Sequence, residues 1–227
     1  MECIILAGGL GTRLQSTVPD LPKCMAPVNG EPFLHYILDY LEAQFVDHVI
    51  LSLGYKHEIV QDWLNTKAFT FKMHRVIEKE PMGTGGGIQL ALNKSVENQT
   101  FVLNGDTLFD VDLREMQKQL TPQQKAVVAL KPMQNFDRYG RVILDEHQNI
   151  VSFEEKQACE SGLINGGIYL LNKEKANIES YPSAFSFEKE FLEKETKDAQ
   201  LKGFISDTYF IDIGVPEDYQ KAQIDFA

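Results

Sequence analysis

The chain has 227 residues, 43% hydrophobic and 24% charged, with 16 glycines and 9 prolines; that is enough to bury one α/β core, and it excludes collagenous, low-complexity and disordered classes. Aspartate and glutamate outnumber lysine and arginine 33 to 22, and the net charge of −11 argues against non-specific partners such as nucleic acid or an anionic membrane. Cys3, Cys24 and Cys159 are far apart and lack zinc-site spacing, no apolar run nears the ~18 residues of a membrane span, and Met1-Glu2-Cys3 lacks the basic flank of a signal peptide, so a reduced, cytoplasmic protein is expected.

Short β-branched runs alternate with amphipathic stretches through the first half, the pattern of a parallel sheet covered by helices. Ile4 to Leu6 reads as a strand, Phe33 to Ala43 as a helix with Phe33, Ile37, Leu38 and Leu41 on one face, and His48 to Leu53 as a second strand. A short helix over His57 to Leu64 and a strand over Phe71 to Ile77 follow. Then come a helix over Gly86 to Leu92 opened by glycines, a buried strand over Thr100 to Leu103, a helix over Asp112 to Leu120 capped by Asp112, and a strand over Ala126 to Leu130. Beyond Lys131 the extended pieces shorten: Gly140 to Leu144, Ile150 to Glu154, Leu163 to Leu171 and Tyr209 to Ile213, with a helix around Phe187 to Glu195. No Ser/Gly linker divides the chain, which reads as one unit over 1–227.

The first segment with chemical content is Leu6 to Leu14, L-A-G-G-L-G-T-R-L, directly after the first strand. Glycines let the backbone approach a ligand, and successive N–H groups form an anion-binding concavity. The spelling is neither a P-loop, which needs G-K-[S/T] after four spacer residues, nor the G-x-G-x-x-G of dinucleotide folds. Arg13 and Lys23 add a planar fork and a point charge of the kind that phosphate oxygens take. Asn104-Gly105-Asp106 ends an apolar strand, the edge at which parallel sheets bind ligands. The five histidines show no ligand spacing and read as structural or solvated. Cys24, next to Lys23, reads as a packed small residue.

Leu6 to Leu14 followed by Pro22-Lys23 and Pro27 resembles the signature of the sugar-nucleotide pyrophosphorylases, a nucleotidyltransferase family, and further motifs fall in the same order. The resemblance implies a mostly parallel, Rossmann-like α/β sheet with a small sheet extension for the sugar. Residues 1–131 would mainly bind nucleotide and 132–227 mainly sugar phosphate. It implies nucleotide binding by Leu6, Ala7, Gly8, Gly9, Gly11, Thr12, Arg13, Lys23, Glu78, Glu80, Gly83, Thr84, Asn104 and Gly105, with Glu80 to Gly87 as the base loop. It implies sugar-phosphate binding by Tyr139, Gly140, Glu155, Lys156, Asn165 and Gly166. Asp106 and Asp212 would hold Mg2+, which usually takes one or two carboxylates and completes its shell with water and phosphate. Arg13, Lys23, Asp106, Lys156 and Asp212 would carry catalysis.

Within that family, Phe136 to Gly140, Gly162 to Leu171, Phe185 to Glu188 and Tyr209 to Tyr219 most resemble the guanylyltransferases that use GTP and a heptose 1-phosphate for bacterial surface polysaccharide. Uridylyltransferases of N-acetylmuramic acid 1-phosphate, or another hexose 1-phosphate enzyme, are the alternative, and a homo-oligomer is compatible with either. A non-catalytic regulatory domain of the same fold would have no reason to keep the five catalytic candidates together. A glycosyltransferase would show a D-x-D metal motif; Asp110-Val111-Asp112 has that spelling, but helix capping accounts for it.

Overall fold

The computed structural model describes residues 1–9, 14 and 17–227. The first strand, β1 (Glu2–Ala7), contains Cys3, Ile4 and Ile5, which are fully buried, and it lies inside a nine-stranded sheet. A strand apolar on both faces needs cover on both. Cys3 and Ile5 face one layer with the first helix, and Ile4 faces the other with the third, following the two-residue alternation of a strand.

A 3-10 turn at Lys23–Met25 and a ribbon of β2 (Pro27–Val28) and β3 (Glu31–Pro32) lead into α1 (Phe33–Ala43), whose buried face includes Phe33, Ile37, Leu38 and Leu41. Then follow β4 (His48–Leu53), α2 (His57–Leu64), β5 (Lys72–Ile77), α3 (Gly83–Leu92) and β6 (Gln99–Asn104). These strands are parallel in the order β5-β4-β1-β6. The chain moves outward from β1 to β5 and then returns to the other side of β1. That reversal opens a crevice at the carboxyl ends of β1 and β6, where open α/β sheets bind ligands.

The second half comprises β7 (Thr107–Phe109), α4 (Leu113–Gln117), β8 (Ala126–Phe136), β9 (Arg141–Leu144), β10 (Ile150–Phe153), β11 (Cys159–Asn172), α5 (Lys173–Ala176), β12 (Leu201–Ile205), β13 (Phe210–Asp212) and α6 (Pro216–Asp225). The parallel run stops at β11, which is antiparallel to β6 and continues along β8 and β9. Its pairing with β8, from Cys159 opposite Phe136 to Leu171 opposite Ala126, makes both strands longer than the sequence indicates. Asp112 caps α4 as expected, accepting from the N–H groups of Arg114 and Glu115, but the helix ends at Gln117. The helix expected around 187–195 is a π-helix over Phe187–Leu192.

At the opposite edge from the crevice, Glu2 is buried at the start of β1. Its carboxylate accepts from His48 Nδ1 (2.6 Å), Ser95 Oγ (2.7 Å) and the N–H groups of Val96 and Glu97 (3.0 and 2.9 Å), and His48 Nε2 meets His74 Nδ1 at 2.7 Å. Burial alone would raise the Glu2 pKa, but these donors outweigh it and hold the group at about 2. Among the described residues, no helix is long and apolar enough to cross a membrane.

Candidate active site

Two clefts meet at the crevice, and Thr84, Asn104 and Asp106 border both. Asp106 sits in the turn between β6 and β7. Asp212 ends β13, which pairs with β7 so that Asp212 stands opposite Thr107; Ile213 N–H donates to the Asp106 carbonyl at 3.0 Å. This two-stranded ribbon brings together two carboxylates that are remote in sequence. Lys23, at the start of the 3-10 turn, reaches between them, pairing with Asp106 and lying 3.5 Å from Asp212 Oδ1.

Burial raises the Asp212 pKa, and the Asp106 charge adds to it; Lys23 and the Gly214 N–H, 2.7 Å from Oδ1, oppose the shift. A cation between the carboxylates therefore relieves a real repulsion. The donor set fits a hard divalent ion that takes one or two carboxylates and completes its shell with phosphate and water. Among the described residues, no group of three or more His, Cys, Asp or Glu side chains is gathered as a metal site. The Cys24 thiol is pushed up to about 12, by burial and then by the Asp106 charge, so it is an inert packed group.

The first cleft, about 810 Å³, is lined by Leu6 near the end of β1 with Gly8 and Gly9 beyond it, Gly54, Tyr55 and His57 after β4, and Glu78, Glu80 and Gly83 after β5. Glu78 is half-buried: its carboxylate accepts from the Met82 N–H at 3.3 Å and lies 3.4 Å from Ser52 Oγ. Burial raises its pKa, against the pull of those two donors. Glu80 is exposed at the rim. Ala7 and Gly105 do not line this cleft. Ala7 is buried in the core, and Gly105 donates its N–H to the Leu6 carbonyl at 2.9 Å, locking the end of β6 to β1. Lys23 belongs to the other cleft, beside the shared Asp106. Gly11, Thr12 and Arg13 lie outside the described residues.

The second cleft, about 500 Å³, takes in Tyr139, Gly140, Glu155, Lys156, Asn165 and Gly166 together with Lys23 and Asp212. Lys156 and Glu155 are exposed on the loop after β10. Tyr139 Oη lies 3.5 Å from Asp212 Oδ2, and burial, followed by the Asp212 charge, raises its pKa. The Asn165 amide is occupied by its own strand: Oδ1 accepts from the Gly167 N–H at 2.9 Å and Nδ2 donates to Tyr169 Oη at 3.0 Å, bracing the register shift in β11. Asn165 thus shapes the cleft floor with both amide ends already engaged.

Sequence reasoning missed several lining residues. His57, read as structural or solvated, borders the larger cleft with Tyr55; its position just beyond a parallel strand is the signal that could have found it. Thr107 of β7 also lines the smaller cleft, together with Ser186, which caps the π-helix, and Glu188 and Lys189 within it.

The whole chain resembles known proteins. It is 50% identical over 98% of its length to the D-glycero-alpha-D-manno-heptose 1-phosphate guanylyltransferase of Aneurinibacillus thermoaerophilus, and 49% identical over 96% to that of Campylobacter jejuni, covering 97% of each relative. A crystal structure of HddC from Yersinia pseudotuberculosis complexed with GMP-PN matches with a TM-score of 0.89 and 38% identity, covering 100% of this chain and 99% of that one. The family model for nucleotidyl transferases matches residues 2–227, and by this match the chain, with its two clefts meeting at Asp106, belongs to the nucleotidyl transferase family.

Proposed function

We propose that the chain transfers GMP from GTP to D-glycero-α-D-manno-heptose 1-phosphate, forming GDP-heptose and pyrophosphate for bacterial surface polysaccharide, capsule or lipopolysaccharide, in the cytoplasm. The observation that carries the reading is the seam. Two clefts suited to two anionic substrates share Asp106, and Lys23 and Asp212 converge beside it. Both relatives near half identity are named guanylyltransferases, which favours this reading over the uridylyl alternative.

In this reaction an oxygen of the sugar phosphate attacks the α-phosphorus of GTP. One P–O bond forms as the bond from the α-phosphorus to the bridging oxygen breaks, and that electron pair leaves with pyrophosphate. The attacking oxygen is already anionic, so no protein nucleophile or base is required. Catalysis reduces to alignment and to stabilising charge. Lys23 would meet the triphosphate at the seam, Lys156 the sugar phosphate, and Arg13, by the family resemblance, the departing pyrophosphate. Asp106 and Asp212 would hold Mg2+, which when bound neutralises charge on the phosphates. Residues 1–131 would form the nucleotide half and 132–227 the sugar-phosphate half of one unit.

The test is pyrophosphate release with GTP, UTP, ATP, CTP and dTTP, each against heptose, mannose, glucose and N-acetylmuramic acid 1-phosphates, with EDTA and Mg2+ readdition. GTP with the heptose substrate should give the highest kcat/KM, and a preference for UTP would overturn the base assignment.

A further inference from the structure

The π-helical segment brings a carboxylate, Glu188, to the border of the sugar-phosphate cleft. Phe187, Phe191 and Leu192 are fully buried, the Phe187 and Phe191 rings stack at 4.9 Å, and Tyr169 meets Phe187 edge-on at 5.0 Å. The wide turn, with Glu193 N–H donating to the Glu188 carbonyl at 3.0 Å, lets these groups stay buried while Glu188 borders the cleft. π-turns of this kind are frequent at functional sites.

Glu188 is held from one side only. Its Oε2 accepts from Thr84 Oγ1 at 2.6 Å and from Ser186 Oγ at 3.1 Å. Thr84 Oγ1 itself accepts from the Phe187 N–H at 2.9 Å, so its one proton is committed to Glu188. Oε1 takes no hydrogen bond among the described residues, in a cleft that already contains Glu155 and the Asp106–Asp212 pair. A carboxylate so placed repels a phosphate and accepts from hydroxyls.

Thr84 is the second residue of α3, and the glycines after it serve this contact. A Cβ on Gly85 would stand 2.3 Å from the Phe185 ring, and one on Gly86 would stand 2.3 Å from the Ser183 carbonyl. Glycine at both positions lets the segment leading to Glu188 press directly onto α3. The glycine run therefore lets α3 and the segment before Glu188 pack together behind Thr84, which borders both clefts.

We propose that Glu188 is a specificity-determining residue that accepts hydrogen bonds from sugar hydroxyls at Oε1, and that Thr84 is the positioning residue that fixes it across the wall between the clefts. The inference rests on the sugar 1-phosphate nucleotidyltransferase reading. Its test is the KM for heptose 1-phosphate and for GTP in the wild type, Glu188→Gln, Glu188→Asp, Thr84→Val, Thr84→Ser and the Thr84→Val/Glu188→Gln double variant, each checked for a wild-type thermal midpoint.

Glu188→Gln should raise the sugar KM about tenfold, the scale of one charge-assisted hydrogen bond, and leave the GTP KM within about twofold. Thr84→Val should raise the sugar KM similarly, Thr84→Ser should recover most of that loss, and the double variant should be no worse than Glu188→Gln alone. Should Glu188→Gln misfold, Glu188→Asp decides, with a rise in the sugar KM alone expected. An active enzyme whose sugar KM is unmoved by these Glu188 changes, or whose GTP KM rises in step, overturns the proposal while the activity stands. A wild type silent with every sugar 1-phosphate overturns both.

Discussion

Asp106 and Asp212 share one counter-ion, the ammonium of Lys23, which is itself mostly buried. Removing either carboxylate strips preorganised charge from the seam, and such losses cost about 10²–10³ in rate. Asp106→Ala and Asp212→Ala should each lower kcat on that scale and leave the sugar KM within a few-fold, as steady-state pyrophosphate release will read. Dependence on added Mg2+ should shift to higher concentration in both.

Lys156 should act on the sugar phosphate alone. It is exposed on the loop after β10, whereas Lys23 sits at the seam with Asp106. Two anions approaching each other need separate cations. Lys156→Ala should raise the KM for sugar 1-phosphate about tenfold with little change for GTP; a rise confined to GTP would reverse the assignment.

Glu78 lines the larger cleft, and under the proposed function it should read guanine, whose N1–H and N2 amine are adjacent donors. Glu78→Gln should lower kcat/KM for GTP at least tenfold and narrow the preference over UTP, while Glu80→Gln, at the exposed rim, should do less. Because burial raises the Glu78 pKa, its acceptor is lost on acidification sooner than from an ordinary glutamate. The GTP KM should therefore climb as pH falls, and Glu78→Gln should abolish that dependence.

Glu2 predicts a stability profile independent of catalysis. Its pKa falls from 4.5 to about 2 on folding. A depressed carboxylate stabilises the fold fully above the unfolded value and loses that contribution as pH falls through the folded one, so the window lies between about 4.5 and 2. Glu2→Gln should cost on the order of 3 kcal/mol at pH 7 in urea denaturation and flatten that acid limb.

The parallel half was legible because β1, β4 and β6 are apolar runs that only a covered sheet can bury, and Asp106 was legible because it follows one of them. The polar end of β8 and the whole of β12 were not, since their extension comes from long-range partners rather than from any alternation of their own. α6 was hidden similarly: only Tyr219 and Ala222 are buried, and its clearest local mark is Pro216 with two acids in the first turn. Glu188 was beyond reach because its partner is a threonine 104 residues away. Asn165 shows the reverse limit, a residue that borders the cleft while its amide is engaged within its own strand.

β11 has a consequence for how the two substrates are brought into line. One strand of 14 residues, with a register shift between Asn165 and Tyr169, is bonded to β6 from the first half of the chain and to β8 and β9 from the second. A strand bonded on both of its edges resists hinging, so the angle between the clefts is set when the sheet forms. The orientational entropy that a hinged enzyme would meet at every turnover is here met during folding, and the molecule works as a fixed jig.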